Sequence, residues 1–515
     1  MSIPLFTSAQ VRAMDSRAFE RGVAPLALME RAGGHLARGV LEAGGRGYGL
    51  PVGILAGRGN NGGDGLAAAR RLLDAGAAPR VCLVAGADDV SADAATQLER
   101  YRAAGGRVVD SVGAALSGVR VGVDCLLGTG ASGVPREPYR SAVTELNRTA
   151  RFARGMSVVA CDVPTGVDAD SGDVRGEAVR ADLTVTLGAH KRGLHLWPGR
   201  GHCGRLLLGD LDLVDDGDEP VAVVLEAPDV ARLLPALDPS VHKRTRGVVV
   251  VLAGSPGMTG AATLVARGAM AAGAGLVTVA TYAEARAMIA PTVPEALTVD
   301  LPDDAPETAF ERLVGALEGA DALAVGPGLG HAAPAVQLVR QVVAEVGIPL
   351  VLDADGINAF RSEGKLLAHH AAPMLTLTPH AGEFARLLAG HGEESGRAPR
   401  DLWARRVSLV PEKAEEWGTV IVAKGPGSMI GAPDGRVWVN PTGGPALATG
   451  GTGDVLTGMI ATLVAQRPVA ESVAVAVYVH GLAGELAGPR AERSVTALDV
   501  AAAVPAALRA IEAGR

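Results

Sequence analysis

Short, unbroken apolar runs that end in glycine-rich loops recur along this 515-residue chain, and they restrict its fold more than any other feature. Apolar strands that alternate with helices are typical of a parallel sheet covered on both faces. One series of strands begins at Pro51 and a second at Gly247, with the acidic, turn-rich segment 212–220 between them. We therefore predict two α/β domains in tandem, residues 1–215 and 221–515, of which the first is a Rossmann-like three-layer sandwich.

The composition limits the partners and the type of core. Hydrophobic residues make up 48% of the chain and aromatic residues only 3%, so the core must consist of Ala, Val and Leu. The net charge is −8 without a basic block, which argues against nucleic acid as a partner. The N-terminus lacks a signal-peptide pattern, and the longest apolar stretch, 258–280, is interrupted by Arg267. We expect a cytoplasmic protein without a membrane span.

The first strand of the series is followed by the glycine-rich sequence GRGNNGGDG. Its Gly57, Gly59 and Gly62 satisfy the GxGxxG pattern of dinucleotide-binding loops, although the acidic residue expected at the end of the next strand is missing. We expect a loop at 60–64, whose short polar residues tolerate left-handed backbone, and a helix from Gly65. A plain tight turn would explain the glycines but not the two asparagines.

Two later strands of this half also end in polar loops, one near Asp124 and one near Asp162. Ligands of open α/β sheets bind outside the carboxyl ends of the strands, where such loops meet. Asn61, Asp124 and Thr165 could converge there, and oxygen donors with one carboxylate suit a hard cation. Each residue alone is more typical of a turn, and the three together favour a site.

The second half contains NPTGGPALATGGTGDVLTG at 440–458, in which glycines immediately precede an apolar helix. Bare amides and the helix dipole at such a helix start favour an anion such as phosphate. Asp454 lies at this start, where a carboxylate would repel phosphate unless it accepts a proton from the attacking group. The alternative is that Asp454 only caps the helix.

Three other loops of the second half have a similar character. Lys424 begins the turn KGPGS after a strand, Gly326 begins GPGLG, and His380 lies where a strand becomes a helix. Individually they are compatible with a solvated charge, a tight turn and a helix-start residue. Together with the 440–458 segment they indicate a nucleotide site.

The motifs GRGNNGGDG, DCLLGTGASG and CDVPTGVD together resemble the NAD(P)H-hydrate epimerase family over about the first 215 residues. The resemblance implies a potassium ion (K⁺) bound by Asn61, Asp124 and Thr165, and Asp162 is the candidate acid/base. The residues implied around the nicotinamide hydrate are Asn60, Asn61, Gly62, Gly63, Asp64, Gly128, Thr129, Gly130, Ala131, Ser132, Gly133, Val134 and Asp162.

The motifs of the second half, with AGSPGMTGAA at 253–262, resemble the ADP-dependent NAD(P)H-hydrate dehydratase family from about residue 221 onward. This resemblance implies a ribokinase-like fold, with ADP as co-substrate and Mg²⁺ as cofactor. The residues implied at ADP are Lys424, Gly425, Pro426, Gly427, Ser428 and Gly453, and those at the hydrate are Ala262, Gly328, His380 and Asp454.

Together the two halves resemble the bifunctional NAD(P)H-hydrate repair enzymes. The resemblance implies that the first domain interconverts the R and S epimers of NADH hydrate and NADPH hydrate, and that the chain forms a homo-oligomer. The second domain would dehydrate the S epimer at the expense of ADP, giving AMP and phosphate, with Asp454 deprotonating the hydrate's hydroxyl. The alternative is a ribokinase-like small-alcohol kinase fused to a non-catalytic nucleotide-binding module.

Overall fold

The computed structural model describes residues 2–45, 47–86, 89–131, 133–153, 155–213, 217–236, 238–390, 396–488 and 492–514. The chain divides into two compact units, Pro4–Ala222 and Val223–Arg515, the second together with Met1–Ile3. Each unit contains a mainly parallel sheet with helices, so the predicted α/β class is confirmed. The assignment of one activity to residues 1–215 and another to 221–515 stays a prediction.

The N-terminal unit is a seven-stranded parallel sheet with the order β4-β3-β2-β5-β6-β7-β9, beside which β1 and β8 form a parallel pair. Its strands are β1 (Ile3–Phe6), β2 (Pro51–Ala56), β3 (Ala78–Leu83), β4 (Arg107–Val108), β5 (Val121–Cys125), β6 (Ser157–Cys161), β7 (Leu183–Leu187), β8 (His190–Lys191) and β9 (Arg205–Gly209). Its helices are α1 (Ser8–Glu20), α2 (Pro25–Gly44), α3 (Asn60–Asp74), α4 (Ala92–Ala103), α5 (Val112–Leu116) and α6 (Tyr139–Phe152).

The strand order of this sheet changes direction between β2 and β5. A crevice opens at such a switch point, outside the carboxyl ends of the strands, because the loops after the two strands run to opposite faces. The loops that follow β2, β5 and β6 are the three polar loops identified in the sequence. The topology therefore brings them to one edge of the sheet.

Helix α3 begins at Asn60 and not at Gly65, so the prediction of a left-handed loop at 60–64 is wrong. A Cβ at Gly62 would lie 1.9 Å from the carbonyl oxygen of Gly57, and one at Gly63 would lie 2.6 Å from the Met29 side chain. These glycines are required by close packing of the helix start and not by an unusual backbone conformation.

The C-terminal unit has the strand order β13-β12-β11-β14-β15-β16-β17-β18-β19-β10. Pairing is parallel from β13 to β17 and antiparallel through β18 and β19, and β10 is parallel to β19. The strands are β10 (Ala222–Val224), β11 (Val248–Leu252), β12 (Leu276–Tyr282), β13 (Leu297–Leu301), β14 (Ala322–Val325), β15 (Leu350–Leu352), β16 (Leu375–Leu377), β17 (Val420–Ala423), β18 (Met429–Gly431) and β19 (Val437–Val439).

The helices of this unit complete the alternation with the strands. They are α7 (Ala227–Leu233), α8 (Thr259–Ala271), α9 (Ala283–Ile289), α10 (Pro306–Ala316), α11 (Ala333–Glu345), α12 (Asp355–Asn358), α13 (Ala381–Leu388), α14 (Pro399–Ala404), α15 (Arg406–Trp417), α16 (Thr452–Gln466), α17 (Ala470–Ala487) and α18 (Ala497–Glu512). In the described part of the chain, none of the helices has the length and hydropathy needed to cross a membrane.

Helices α8 and α16 touch backbone to backbone in the centre of this unit. A Cβ at Gly268 would lie 2.2 Å from the carbonyl oxygen of Val455, and one at Gly458 would lie 2.0 Å from that of Val265. The two glycines allow the helix backbones to approach this closely. The core around them consists mainly of Ala, Val and Leu, as the composition predicts. Helix α16 carries Asp454 in its first turn, so the contact fixes the position of that turn.

Candidate active sites

The N-terminal unit contains a cavity of about 590 Å³, here called the main cavity. The first turns of α3, the loop after β5 and the end of β6 form much of its wall. The predicted hydrate-binding residues that line it are Asn60, Asn61, Asp64, Gly128, Thr129, Gly130, Ala131 and Asp162.

The other predicted hydrate-binding residues do not line the main cavity. Gly62 and Gly63 are buried within α3. Gly133 and Val134 line a neighbouring cavity of about 480 Å³, here called the side cavity. Ser132 lies outside the described residues. The predicted loop after β5 is thus divided between two cavities.

Asp162 follows β6 in a left-handed backbone conformation, with φ of 65°. Its Oδ1 accepts hydrogen bonds from Nζ of Lys191 at 2.5 Å and from the amide of Leu187 at 3.1 Å. Lys191 is 1% exposed and also donates to the carbonyl of Leu187 and the hydroxyl of Thr186. A non-glycine residue in this conformation and a buried lysine are both uncommon, and backbone strain of this kind clusters at functional sites.

Two further carboxyl groups, those of Asp64 and Asp15, face the same cavity. Burial raises the pKa of Asp64 well above its usual range, and the charges of Asp162 and Asp15 raise it further. Burial also raises the pKa of Asp15. The wall therefore combines an ion pair with two carboxyl groups that hold protons more tightly than free aspartic acid does.

The predicted cation ligands lie beneath this wall. Both oxygens of Asp124 accept hydrogen bonds from Thr165, at 2.8 Å from its hydroxyl and 2.8 Å from its amide. The Thr165 hydroxyl also contacts the backbone of Leu127, and the Asn61 side chain lies against the adjacent Gly128. The side-chain nitrogen Nδ2 of Asn61 is buried and has no hydrogen-bond partner among the described residues. The three predicted ligands therefore converge on the backbone at 127–128.

The oxygen ligands available at this position fit a hard cation. Burial raises the pKa of Asp124 to about 6, against the opposing effect of its hydrogen bonds from Thr165 and Leu126. The neutral amide and hydroxyl oxygens of Asn61 and Thr165, with one carboxylate, supply oxygen ligands. A cation would stabilise the charged form of Asp124, and the side-chain oxygen of Asn61 could bind it.

In the C-terminal unit, Asp454 lies in the first turn of α16, which begins after Gly451 at a φ of 91°. No side chain caps this helix, so Asp454 does not have the capping role considered as its alternative. Burial raises the pKa of Asp454 to about 7, the charge of Asp353 adds to this effect, and the charge of Lys424 opposes it.

An ion pair between the partly buried Lys424 and the buried Asp353 lies next to Asp454. Nζ of Lys424 donates to Oδ1 of Asp353 at 2.6 Å, and the hydroxyl of Thr457 donates to Oδ2 of Asp353 at 2.7 Å. A Cβ at Gly453 would lie 3.3 Å from Nζ of Lys424, which places this ammonium group at the start of α16. Burial lowers the pKa of Lys424, but Asp353, Glu383 and Asp454 together raise it, so the lysine stays charged.

The predicted ADP residues form the turn after β17. Ser428 closes it, since its hydroxyl accepts from the Gly425 amide at 3.2 Å and donates to the Gly425 carbonyl at 3.0 Å. Gly427 has a φ of 63°, which other residues adopt at a cost. The turn also contains Pro426. Its first residue, Lys424, pairs with Asp353 and approaches Gly453, so this turn reaches the start of α16.

Two of the predicted hydrate-binding residues, Ala262 and Gly328, lie near the amino end of α8. Ala262 is fully buried, and a Cβ at Gly328 would lie 2.8 Å from the carbonyl oxygen of Met258, the residue before α8. His380 caps α13, because its Nδ1 accepts from the amides of Gly382 and Glu383. Its backbone forms a bridge with Lys424.

Comparison with known proteins identifies the family. A model of the NAD(P)H-hydrate dehydratases matches residues 249–506, and a model described as the YjeF-related protein N-terminus matches residues 25–193. The bifunctional NAD(P)H-hydrate repair enzyme of Moorella thermoacetica is 36% identical, and the alignment covers 99% of this chain and 97% of that protein. The enzyme of the same name from Salinibacter ruber is 38% identical over 98% of this chain and 95% of its own length.

The chain belongs to the bifunctional NAD(P)H-hydrate repair enzymes. The family and enzyme class predicted from the motifs are therefore confirmed, and the small-alcohol kinase is the weaker alternative. Among solved structures, the ADP/ATP-dependent NAD(P)H-hydrate dehydratase of Bacillus subtilis, co-crystallised with ATP and Mg²⁺, is 32% identical to this chain. It covers 56% of this chain and 98% of its own, with a TM-score of 0.48.

The sequence motifs of this repair-enzyme family member did not predict several residues of both sites. In the main cavity these are Asp15 and Lys191, and around Asp454 they are Asp353, Asp355 and Glu383. A signal existed for Asp353, which directly follows β15 in the same way that Asp162 follows β6. Lys191 had a weaker signal in the scarcity of lysine, since the chain contains many more arginines.

Proposed function

We propose that the N-terminal main cavity interconverts the R and S epimers of NADH hydrate and NADPH hydrate. The C-terminal unit then dehydrates the S epimer at the expense of ADP, giving AMP, phosphate and the reduced cofactor. The observation that carries this proposal is the position of Asp454, a carboxyl group with a pKa of about 7 in the first turn of α16. A base poised near neutral pH at an anion-binding helix start suits transfer of a phosphoryl group to a hydroxyl.

In the dehydration, Asp454 accepts the proton of the hydrate's hydroxyl, and the oxygen attacks the terminal phosphorus of ADP. The bond between that phosphorus and the bridging oxygen breaks, and AMP leaves. The C–O bond of the phosphorylated hydrate then breaks with loss of phosphate, and the neighbouring ring carbon loses a proton. Phosphate is a far better leaving group than hydroxide, which explains the need for ADP.

The remaining residues of this site hold the nucleotide. The amides at the start of α16 and the charge of Lys424 face the developing charge on the phosphate. Asp353 fixes Lys424, and the turn Lys424–Ser428 supports the nucleotide. Mg²⁺ would be bound through the phosphates, as is usual for this ion, and would screen their charge.

In the epimerisation, Asp162 exchanges a proton with the hydroxyl oxygen of the hydrate, and Lys191 holds its carboxylate in place. The configuration at the hydroxyl-bearing ring carbon is lost when that carbon loses and regains its oxygen, or when the ring opens and closes. Asn61, Asp124 and Thr165 would hold K⁺, which supplies a fixed positive charge that orients the oxygen-bearing groups around it.

The test is incubation of the purified chain with a mixture of both hydrate epimers, ADP and Mg²⁺, followed at the absorbance of the reduced cofactor. We expect wild-type protein to convert both epimers, with one AMP and one phosphate formed per cofactor. Asp454→Asn should convert neither, and Asp162→Asn should stop after the S epimer is consumed. A stable phosphomonoester as product would overturn the proposal in favour of the kinase.

The same preparation tests the remaining expectations. ADP and ATP can be compared as phosphoryl donors, and NADH hydrate and NADPH hydrate as substrates. Light scattering measures the expected homo-oligomer, and fractionation of cells measures the expected cytoplasmic location. These four points stay predictions.

A further inference from the structure

The main cavity and the side cavity of the N-terminal unit share part of their walls. Arg58, Leu127, Gly128, Ala131 and Tyr139 line both of them. Most of the residues assigned to the nicotinamide hydrate that line a cavity line the main cavity, and Gly133 and Val134 line the side cavity. A dinucleotide has a second nucleoside joined to the first through a diphosphate, and nothing assigned above receives that half. The volume of the side cavity, about 480 Å³, lies in the range of small-molecule sites.

The charges around the side cavity favour an anion at the shared wall. Arg58 and Arg136 are exposed and make no ion pair with the described residues. No side chain caps α3, and its N-cap residue, Gly59, directly follows Arg58. The unpaired cation and the positive end of this helix therefore lie together at the wall between the cavities.

Most of the carboxylates around the side cavity are already engaged. Glu137 accepts from Arg140 and Ser141. Asp168 accepts from the backbone of its own loop, and Asp173 pairs with an arginine at 3.6 Å. Asp89 is the carboxylate of this wall without a partner in the described part of the chain. Cationic groups are therefore left available for a ligand.

The side cavity also offers surfaces for a nucleoside. The Tyr139 hydroxyl is buried and has no hydrogen-bond partner among the described residues, which is costly unless a ligand or water supplies one. Val134 is 49% exposed, and it lines this cavity. An exposed apolar side chain and an aromatic residue that line the same cavity suit contact with a planar base.

We propose that the side cavity binds the adenosine half of the dinucleotide hydrate, with Arg58 at the diphosphate between the two cavities. Val134 and Tyr139 would contact the adenosine. This inference rests on the proposed epimerase activity and extends it, since it makes the N-terminal unit selective for a dinucleotide over a mononucleotide. The selectivity would come from Arg58 at the shared wall and from the lining of the side cavity.

The test compares two substrates without ADP, so that dehydration does not interfere. One is NADH hydrate, and the other is the hydrate of reduced nicotinamide mononucleotide, which lacks the adenylate. Epimer interconversion is measured for each by chromatography. In Arg58→Ala, we expect the ratio of kcat/KM for the dinucleotide over the mononucleotide to fall about tenfold or more, because a charge-assisted contact to phosphate is lost. Val134→Asp should lower the same ratio by placing a charged side chain where the adenosine packs.

Arg102→Ala serves as the matched control, since Arg102 is an exposed arginine on α4 that lines neither cavity, and it should keep the wild-type ratio. An equal effect of Arg58→Ala on both substrates, or no effect on either, overturns the side-cavity proposal while the epimerase activity stands. If wild-type protein interconverts the epimers of neither hydrate, the proposed epimerase activity fails, and this inference fails with it.

Discussion

The ammonium group of Lys424 lies 2.6 Å from Oδ1 of Asp353, a carboxylate that is 1% exposed and also binds the hydroxyl of Thr457. This pair holds one positive and one negative charge next to Asp454, at the start of α16. The positive charge favours an ionised Asp454 and the negative charge disfavours it. The balance of the two, with burial, determines the pH at which Asp454 ionises, and its proposed role as a base depends on that pH.

The rate of dehydration should depend on pH through Asp454. The carboxyl group accepts a proton only when it is ionised, and its pKa is about 7. We expect kcat to fall about tenfold per pH unit below pH 7, and to level off above it. The measurement is a pH–rate profile at saturating ADP. A profile flat down to pH 5 would contradict the role of Asp454.

Replacement of Asp454 by Asn should abolish dehydration and stabilise the protein above neutral pH. The pKa of Asp454 rises on folding from 3.8 to about 7, so the folded state holds its proton more tightly. The resulting stability is fully present below pH 3.8 and is lost as the pH rises through 7. At pH 8 the free energy of unfolding should therefore increase on the order of 4 kcal/mol in Asp454→Asn. Denaturation at pH 8 and near pH 4 measures this, and an equal gain at both values would contradict it.

Asp353→Asn should destabilise the C-terminal unit. The change leaves the partly buried ammonium group of Lys424 without its charged partner, which costs about 3 kcal/mol of unfolding free energy. The matched control is Thr457→Val, which removes one hydrogen bond to the same carboxylate and should cost about 1 kcal/mol. Denaturant unfolding compares the two variants. Similar losses in both would show that the ion pair contributes little.

Lys191→Met should slow epimerisation and leave dehydration of the S epimer unchanged. Without the ammonium group, the Asp162 carboxylate loses the contact that holds it in the main cavity. We expect a loss of about a hundredfold in the rate of epimer interconversion, in the range of acid–base contributions. Dehydration by the same preparation is the internal control for folding. A parallel loss of both activities would indicate a general structural effect.

Gly62→Ala should destabilise the N-terminal unit, and Gly59→Ala should not. A Cβ at Gly62 would lie 1.9 Å from the carbonyl oxygen of Gly57, whereas none of the described atoms lies within 4 Å of a Cβ at Gly59. Gly62→Ala should cost on the order of 3 kcal/mol through backbone displacement, and Gly59→Ala less than about 1 kcal/mol. Thermal unfolding of both variants measures the difference, and equal midpoints would contradict the packing account.

The strands and the edge of the sheet that carries each site were predictable, because apolar runs and the loops after them are local features of the sequence. The start of α3 was not predictable. Glycine is unfavourable in helices, and the requirement for Gly62 and Gly63 comes from contacts with Gly57 and Met29 that appear only in the folded chain.

The charged partners of the predicted catalytic residues could not be derived for a similar reason. Lys191 is 29 residues from Asp162, and Lys424 is 71 residues from Asp353. No periodicity or spacing connects such pairs in a single sequence. The sequence identified which loops meet, and the structure identifies which side chains neutralise each other there.

The contact between α8 and α16 has a consequence for how the dehydration proceeds. Because the backbones touch at Gly268 and Gly458, α16 cannot slide or rotate about its axis without steric overlap. In the proposed dehydration, the first turn of α16 therefore stays in place through both steps, and the carboxyl group of Asp454 can move only by rotation of its own side chain.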